Sequence, residues 1–598
     1  MKYSDLLADT LLEQGYTTVF FVSGGNIMHL IESFSNRFRM VPVMHEVSAV
    51  ISCDYFNESQ SKINGKERAL ALVTLGPGVT NTITGIACAY MDSRELLLIA
   101  GQVKSTDLKL TNDRQNGLQE VDGVNLMKSI TKKSTQISEP ISVEVFASNV
   151  AESWLGRKGP VFIEICLDAQ GRDVNPIDFG VSKQNREEIR LNTTEFSLQS
   201  RDFLESLAHA RRPLILVGGG FPRIYNVLLE DIINQCGVPV ATSWNAADRF
   251  SSENQYYAGR PNMFGQRWAN ILIQQSDLIF VLGCSLGIQQ TGFNLSTFAP
   301  NARIIQIDID EIALQNTKLK NHHTLKADLL DFVPIFHSEA INFDWQAGAQ
   351  ARKDWVNYKN DLRDEFPLVE PATFLDGHNN PFKIINELSK LADENLSIVS
   401  CSSGGTYTSF MQTFENKKNQ IIISSKGLGS MGIGLAGAIG TAISTRGQVW
   451  LFEGDGGFAQ NIQELGTLEI NDLDVKIFIF SNNGYASIRS TQKRYFEGNY
   501  VGCDGQTGLG LPNLKKISEA YGIRYEAIPV GSYSAEEMAL MLREPGPTII
   551  EIFLDVDQAY LPKIDSRLAL DGSMESNPLH IMNPEISEAK KKLYFKYI

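Results

Sequence analysis

Gly454-Asp455-Gly456-Gly457 and, one helix later, Ser481-Asn482-Asn483-Gly484-Tyr485 form the stretch that decides how this 598-residue chain is read. Each run follows an apolar segment, 448–452 and 475–480, that reads as a buried strand. Two strands of one parallel sheet, joined by a helix, bring Asp455 and Asn482 to the same carboxyl edge. A carboxylate, an amide oxygen and a turn carbonyl suit a Mg²⁺ ion that also holds a diphosphate. Gly454, Gly456 and Gly457 let the backbone approach phosphate oxygens closely. A bare Gly-Asp-Gly triplet fits an ordinary glycine-rich crossover better. The triplet, its spacing to the Asn-Asn pair and the two strands together favour the metal and diphosphate reading.

Working outward, apolar runs at 397–400, 421–424 and 548–552 complete a third α/β block, about 382–556. A first block, 1–180, has strand-like runs at 19–22, 69–73, 96–99 and 161–165. A second, 195–340, has them at 214–217, 278–282 and 304–307. Strands alternating with helices predict three doubly wound parallel sheets. The polar text at 181–194 reads as a linker, and a polar segment, 345–364, leads through a Pro- and Asn-bearing stretch to the third block. The tail, 557–598, is polar and irregular and ends in a short basic-aromatic helix; it reads equally as an arm over a site or as a loose end.

Bulk properties narrow the class. A chain with 43% hydrophobic residues can bury several cores, and its length suggests about three or four domains. A net charge of −15, with no basic stripe interleaved with aromatics, argues against nucleic acid as partner. Seven scattered cysteines without a CxxC pair read as reduced, buried thiols of a cytoplasmic protein. The chain opens on an amphipathic helix, 4–14, in place of a basic and apolar leader. No apolar run reaches the roughly 18 residues of a membrane span.

The first block carries His45-Glu46-Val47-Ser48-Ala49, Leu75-Gly76-Pro77-Gly78-Val79-Thr80-Asn81, Ala89-Tyr90-Met91-Asp92-Ser93, Gly101-Gln102-Val103 and Arg114-Gln115-Asn116-Gly117-Leu118-Gln119-Glu120. Alone, Glu46 reads as an acidic residue complementing a helix dipole. In this order, and with the Asp455–Asn482 stretch, these runs resemble the acetolactate synthase branch of the thiamine-diphosphate enzymes over nearly the whole chain. The resemblance implies that Glu46 hydrogen-bonds the aminopyrimidine ring of the cofactor and drives its imino tautomer. A buried carboxylate facing a ring nitrogen suits that relay, because desolvation raises its proton affinity. Gly24 and Gly25 match a loop near the reacting centre, and Gln119 matches a glutamine beside the thiazolium. In Lys426-Gly427-Leu428-Gly429-Ser430-Met431-Gly432, Met431 matches the wedge between the cofactor rings and Gly429 the acceptor for its amine. A lone Met would read as a core filler. Gly404, Gly405 and Thr406 match the diphosphate segment, although the family usually has Gln-His at the last two positions. Asp455, Asn482 and the Gly484 carbonyl are the implied Mg²⁺ ligands.

The second block keeps the frame of the family's flavin domain in Gly218-Gly219-Gly220, in the run 259–270 and in Ile307-Asp308-Ile309-Asp310. It departs at Phe264, where the frame has histidine, and at Gly283-Cys284-Ser285-Leu286-Gly287-Ile288, where the family has an arginine that binds the acceptor's carboxylate. FAD is therefore left open. Ser285 cannot form a bidentate pair with a carboxylate. The family's acceptor-reading tryptophan falls near Thr491, and Leu118 replaces a phenylalanine. The resemblance thus implies a carboligase that decarboxylates a 2-keto acid, with pyruvate the expected donor. It would transfer the two-carbon acyl unit to a carbonyl acceptor other than the usual keto acid. A nucleotide-linked ketodeoxysugar of branched-sugar or polysaccharide synthesis is the specific expectation, supported faintly by the tail pattern Ser566-Arg567-Leu568, Asp571-Gly572-Ser573 and Asn577-Pro578-Leu579. Acetolactate synthase proper, a 2-keto acid decarboxylase and a cyclic dione hydrolase are the alternatives. A site shared between Glu46 and Asp455 implies a homodimer or homotetramer with active sites at subunit interfaces.

Overall fold

A computed structural model describes residues 1–109, 113–180, 193–315, 319 and 321–598. The expected linker at 181–194 lies, up to residue 192, outside the described residues. Three parallel sheets carry the fold. The first has the strand order Arg39–Pro42, Tyr16–Phe21, Arg68–Val73, Leu96–Gln102, Pro160–Cys166 and Lys133–Ile137. The second runs His322–Lys326, Arg303–Asp308, Leu278–Leu282, Pro213–Val217 and Val240–Thr242. The third runs Ile421–Ile423, Ser397–Ser400, Val449–Gly454, Val475–Ser481, Thr548–Phe553 and Arg524–Ile528. Numbered within each block, the first and third sheets share one order, 2-1-3-4-6-5. The expected strands are present. The strands not anticipated as such are all at sheet edges, where one flank needs no apolar partner.

Strand Val475–Ser481 shows why the decisive stretch reads as it does. All seven residues are buried, between Val449–Gly454 on one side and Thr548–Phe553 on the other. Helices cover both faces of a parallel sheet, so the run is apolar throughout instead of alternating. The register pairs Gly454 with Phe480, which sets Asp455 and Asn482 just beyond one edge of the sheet.

The first and third sheets share a core. Helix Glu46–Lys62 starts at His45, whose side chain accepts from the Val47 N–H, and it carries Glu46 in its first turn and Lys62 in its last. It packs on helix Gly434–Thr445, whose sequence GLAGAIGTAIST is small on the contact face. A Cβ at Gly440 would lie 2.0 Å from the Ser52 carbonyl oxygen, and one at Gly437 would enter the Tyr55 ring. Ser52 donates to the Ala436 carbonyl at 2.8 Å, and Gln60 donates to Ser444 at 3.1 Å. Val50, Ile51 and Phe56 thereby join Leu435, Ala438 and Ile439 in one apolar cluster.

At the other end of the helix, the buried Lys62 ammonium pairs with Asp248 of the second block at 2.7 Å. Asp248 also pairs with Arg249, lies 3.8 Å from Arg223 and accepts the Ile422 N–H of the third block. Burial works against its charge, but the flanking cations hold its carboxyl well below the usual range.

One segment departs from its sequence reading, and the tail takes one of the two forms its sequence allowed. The polar stretch 345–364 is mostly helix, Ala349–Glu365, because Trp355, Tyr358 and Leu362 fall on one side and pack on the second block. The tail is an arm. Ile564, Leu579 and Met582 are buried in the second block's core, and short strands Lys563–Ile564 and Met582–Asn583 pair antiparallel. All seven cysteines are free and buried. No helix among the described residues is long and apolar enough to cross a membrane. Replacing Asp248 by Ala leaves Lys62, Arg249 and Arg223 without their shared counter-charge, so we expect a loss of about 3–5 kcal/mol in urea unfolding; an unchanged midpoint would show that the junction contributes nothing.

Candidate functional site

The carboxyl edge of the third sheet gathers the predicted residues from four loops. Asp455 begins a one-turn helix right after its strand, and its carboxylate accepts from the Gly456 N–H at 2.8 Å and the Gly484 N–H at 3.0 Å. Burial pushes its carboxyl up to about 6, against the lowering effect of those N–H groups. Asn482 is buried beside it. Its amide nitrogen donates to the Tyr560 hydroxyl at 3.1 Å, while its Oδ1 is buried without a hydrogen-bond partner. The Gly484 carbonyl accepts the Ala486 N–H at 3.2 Å and retains a second lone pair. A raised carboxyl and an orphaned amide oxygen side by side are what a divalent cation would satisfy. Among the described residues no cluster of three or more His, Cys, Asp or Glu could hold a metal. The candidate donor set is a different kind, with one carboxylate, one amide and one carbonyl.

The glycines of this edge are close-packed. Gly456 lies under the Tyr485 ring, Gly457 against the Glu453 carboxyl, and Gly484, at φ +135°, against the Cys503 carbonyl. Gly404 has φ +85° and opens helix Gly404–Thr413, with Gly405 and the buried Thr406 in its first turn. The Thr406 hydroxyl lies 3.6 Å from where a Cβ of Gly454 would be. Such a helix start presents free N–H groups to an anion. Gly429, at φ +69°, comes near the Ser402 carbonyl. Met431 and Leu428 are both partly exposed, at 40% and 42%. The structure therefore brings together Gly404, Gly405, Thr406, Gly429, Met431, Gly454, Asp455, Gly456, Gly457, Asn482 and Gly484 on loops of one sheet edge.

The first-block residues form a separate group. Glu46 is half-buried, not buried as expected, because it opens its helix on a face that this chain does not cover. The Asn81 amide donates to it at 3.0 Å. Beside it the Met44 N–H donates to Glu464, and the Met44 side chain is 65% exposed. Gln119 has φ +59°, and its carbonyl would meet a Cβ at Gly76, which therefore has to be glycine. Leu118 is 86% exposed. Gly25 begins a short 3₁₀ turn with open space before it. Among the described residues, no hydrogen bond joins Glu46, Gln119 or Gly25 to the Asp455 group. A link between the blocks runs instead through Asp92, which accepts the Gly427 N–H at 2.9 Å.

Sequence reasoning assigned no role to Asn81, Tyr485, Arg489 or Tyr560. Arg489 is buried, donates to the Val556 carbonyl at 3.0 Å and pairs with Asp504. A single Asn, Arg or Tyr carries no pattern to find it by, whether in a loop or, like Arg489, on helix Ala486–Tyr495. In the second block, Ser285 and Gly287 are exposed at the sheet's carboxyl edge with Gly219 and Gly220, and Thr491 is exposed on helix Ala486–Tyr495.

Three family models match in order. Residues 1–126 match the thiamine pyrophosphate enzyme N-terminal TPP binding domain, 201–334 the central domain and 403–552 the C-terminal TPP binding domain. Among curated relatives, the acetolactate synthase isozyme 1 large subunit of Escherichia coli is 28% identical over 576 residues, covering 94% of this chain and 95% of that one. The probable acetolactate synthase large subunit of Methanocaldococcus jannaschii is 26% identical, covering 99% and 98%. The chloroplastic acetolactate synthase of Arabidopsis thaliana is 26% identical, covering 94% and 83%. Removing the charge of the candidate donor set with Asp455→Asn is expected to weaken Mn²⁺ binding at least about tenfold, read by electron paramagnetic resonance of free Mn²⁺; wild-type affinity would exclude Asp455 as a ligand.

Proposed function

The chain belongs to the thiamine pyrophosphate enzymes, related to the acetolactate synthase large subunit, and on that footing we propose that it decarboxylates pyruvate and joins the two-carbon acyl unit to a carbonyl acceptor other than a second keto acid. The relation supports 2-keto acid decarboxylation and carboligation as the reaction class. The observation that carries the choice of acceptor is Ser285. It lies exposed at the carboxyl edge of the second sheet, where the resembled enzymes present an arginine to a carboxylate. Thr491 and the exposed Leu118 agree with it, since both leave room where a larger aromatic side chain would read a small acceptor. A nucleotide-linked ketodeoxysugar is the acceptor class we favour.

Asp455, the Asn482 amide oxygen and the Gly484 carbonyl would hold Mg²⁺, and the start of helix Gly404–Thr413 would take the diphosphate. Thiamine diphosphate, when bound, supplies the electron sink for decarboxylation. Glu46 would hold and move a proton at the pyrimidine ring, with the Asn81 amide fixing its carboxylate. Met431 would press between the cofactor rings from a loop tethered by Asp92. Glu46 and Asp455 lie in separate groups, and partly exposed Met44, Leu428 and Met431 border them. That supports a homodimer or homotetramer in which each cofactor bridges two copies. The exposed glycines of the second block leave room for FAD, while Phe264 and Ser285 replace residues that hold it in the resembled family; the visible absorption of purified protein decides between the two. Seven buried free thiols support a cytoplasmic location.

Incubation with pyruvate, thiamine diphosphate and Mg²⁺, with and without a nucleotide-linked ketosugar, tests the reading. Pyruvate consumption that depends on the sugar is the expected result. Acetolactate from pyruvate alone would restore the usual synthase, free acetaldehyde would indicate a decarboxylase, and no turnover of pyruvate would overturn the proposal. Glu46→Gln is expected to lower turnover about 10²–10⁴-fold with Mn²⁺ binding retained.

A further inference from the structure

Tyr560 lies in the tail, yet its side chain is a hydrogen-bond partner of the Asn482 amide. Its hydroxyl accepts the Asn482 Nδ2–H at 3.1 Å, and the partner oxygen of that amide, Oδ1, is left buried without a hydrogen bond. An amide can be turned over at little cost in shape. In the turned form the phenol would donate to Oδ1, and the NH₂ would face the cation. The Asp455 carboxylate accepts the N–H of Gly484, two residues beyond Asn482, at 3.0 Å. An amide NH₂ turned toward a cation would repel it.

The phenol itself is held by the diphosphate loop. A Cβ at Gly405 would lie 2.0 Å from Tyr560 Cζ and 2.2 Å from Cε1, so the ring fills the space that any side chain at 405 would take. Phe382 also packs against it, with ring centroids 6.1 Å apart. The backbone reaches this place because Gln558, two residues earlier, donates to the Thr373 carbonyl at 2.9 Å. Further on, Ile564 donates its N–H to the Met263 carbonyl in the second block, which anchors the arm beyond the ring. The glycine at 405 and the tyrosine at 560 are thus one device contributed by two distant segments.

We propose that Tyr560 is a positioning residue for the divalent cation: by accepting the Asn482 N–H from a ring seated on Gly405, it presents the Asn482 Oδ1 to the metal. The proposal rests on Asp455 and Asn482 being the metal's ligands, and it makes the tail part of the cofactor site. Partners that orient metal ligands typically contribute 10–100-fold in affinity.

The test titrates the full-length protein, in the presence of thiamine diphosphate, with Mn²⁺ and reads free Mn²⁺ by electron paramagnetic resonance. Tyr560→Phe keeps the ring and removes the acceptor, and we expect it to weaken Mn²⁺ binding about tenfold. In an Asn482→Asp background the carboxylate offers an oxygen in either orientation, so the same change is expected to cost little. Gly405→Ala keeps the phenol but displaces the ring, and it is expected to reproduce the Tyr560→Phe loss without adding to it. Thermal melting in EDTA checks that each variant folds, and a purely structural role would shift melting while leaving Mn²⁺ affinity alone. Unchanged Mn²⁺ affinity in Tyr560→Phe, or an equal loss in the Asn482→Asp background, overturns the proposal. If Asp455→Asn also binds Mn²⁺ normally, the metal reading itself has failed; if Asp455→Asn loses binding and Tyr560→Phe does not, only the role of Tyr560 has.

Discussion

One helix–helix contact governs the arrangement of this molecule. Helix Glu46–Lys62 can lie on helix Gly434–Thr445 only because Gly440 offers no side chain to the Ser52 carbonyl and Gly437 none to Tyr55. At that distance side-chain and backbone groups of the two helices hydrogen-bond directly, through Ser52 with Ala436 and Gln60 with Ser444. The 17-residue helix, about 25 Å long, then does two things at its two ends. Its start carries Glu46 to an open face, and its end delivers Lys62 to Asp248, where all three blocks meet. A larger residue at 440 would separate the first sheet from the third and disturb both ends together.

The carboxyl edge of the third sheet, the candidate metal and diphosphate site, shows the energetics of burying polar groups. A buried carboxylate and a buried amide oxygen without a partner are both costly in isolation. The fold holds them with backbone N–H groups from Gly456 and Gly484 on the carboxylate and with the Tyr560 hydroxyl on the amide. A divalent cation at this edge, as proposed, would offset both costs.

The candidate cofactor residues and the positions that depart from the resembled family lie in different parts of the chain, so one set can change while the other stays. The donor set belongs to strand ends of the third sheet, whose cores dictate their positions. Ser285, Thr491 and Leu118 lie on exposed loop or helix positions, where substitution costs little packing. The related acetolactate synthases and this chain can therefore share a fold and cofactor chemistry while differing where a second substrate would lie.

Much of this was legible in the residues themselves. The central strands announce themselves as apolar runs because helices cover both faces, and Gly454-Asp455-Gly456 and Asn482 fall at their ends by local register alone. Edge strands such as Lys133–Ile137 and His322–Lys326 went unread because one flank is solvated and no apolar run is needed. Helix Ala349–Glu365 went unread because its apolar positions are sparse in a polar segment. The sequence by itself determined the three sheets, the candidate cofactor residues and the unusual acceptor positions, since each depends on residue type and near neighbours. Only tertiary structure decided that Glu46 faces outward, that Lys62 meets Asp248, and that the tail returns to set Tyr560 between Gly405 and Asn482. Those contacts join segments far apart in the chain, and no local pattern encodes which distant surface a side chain will meet.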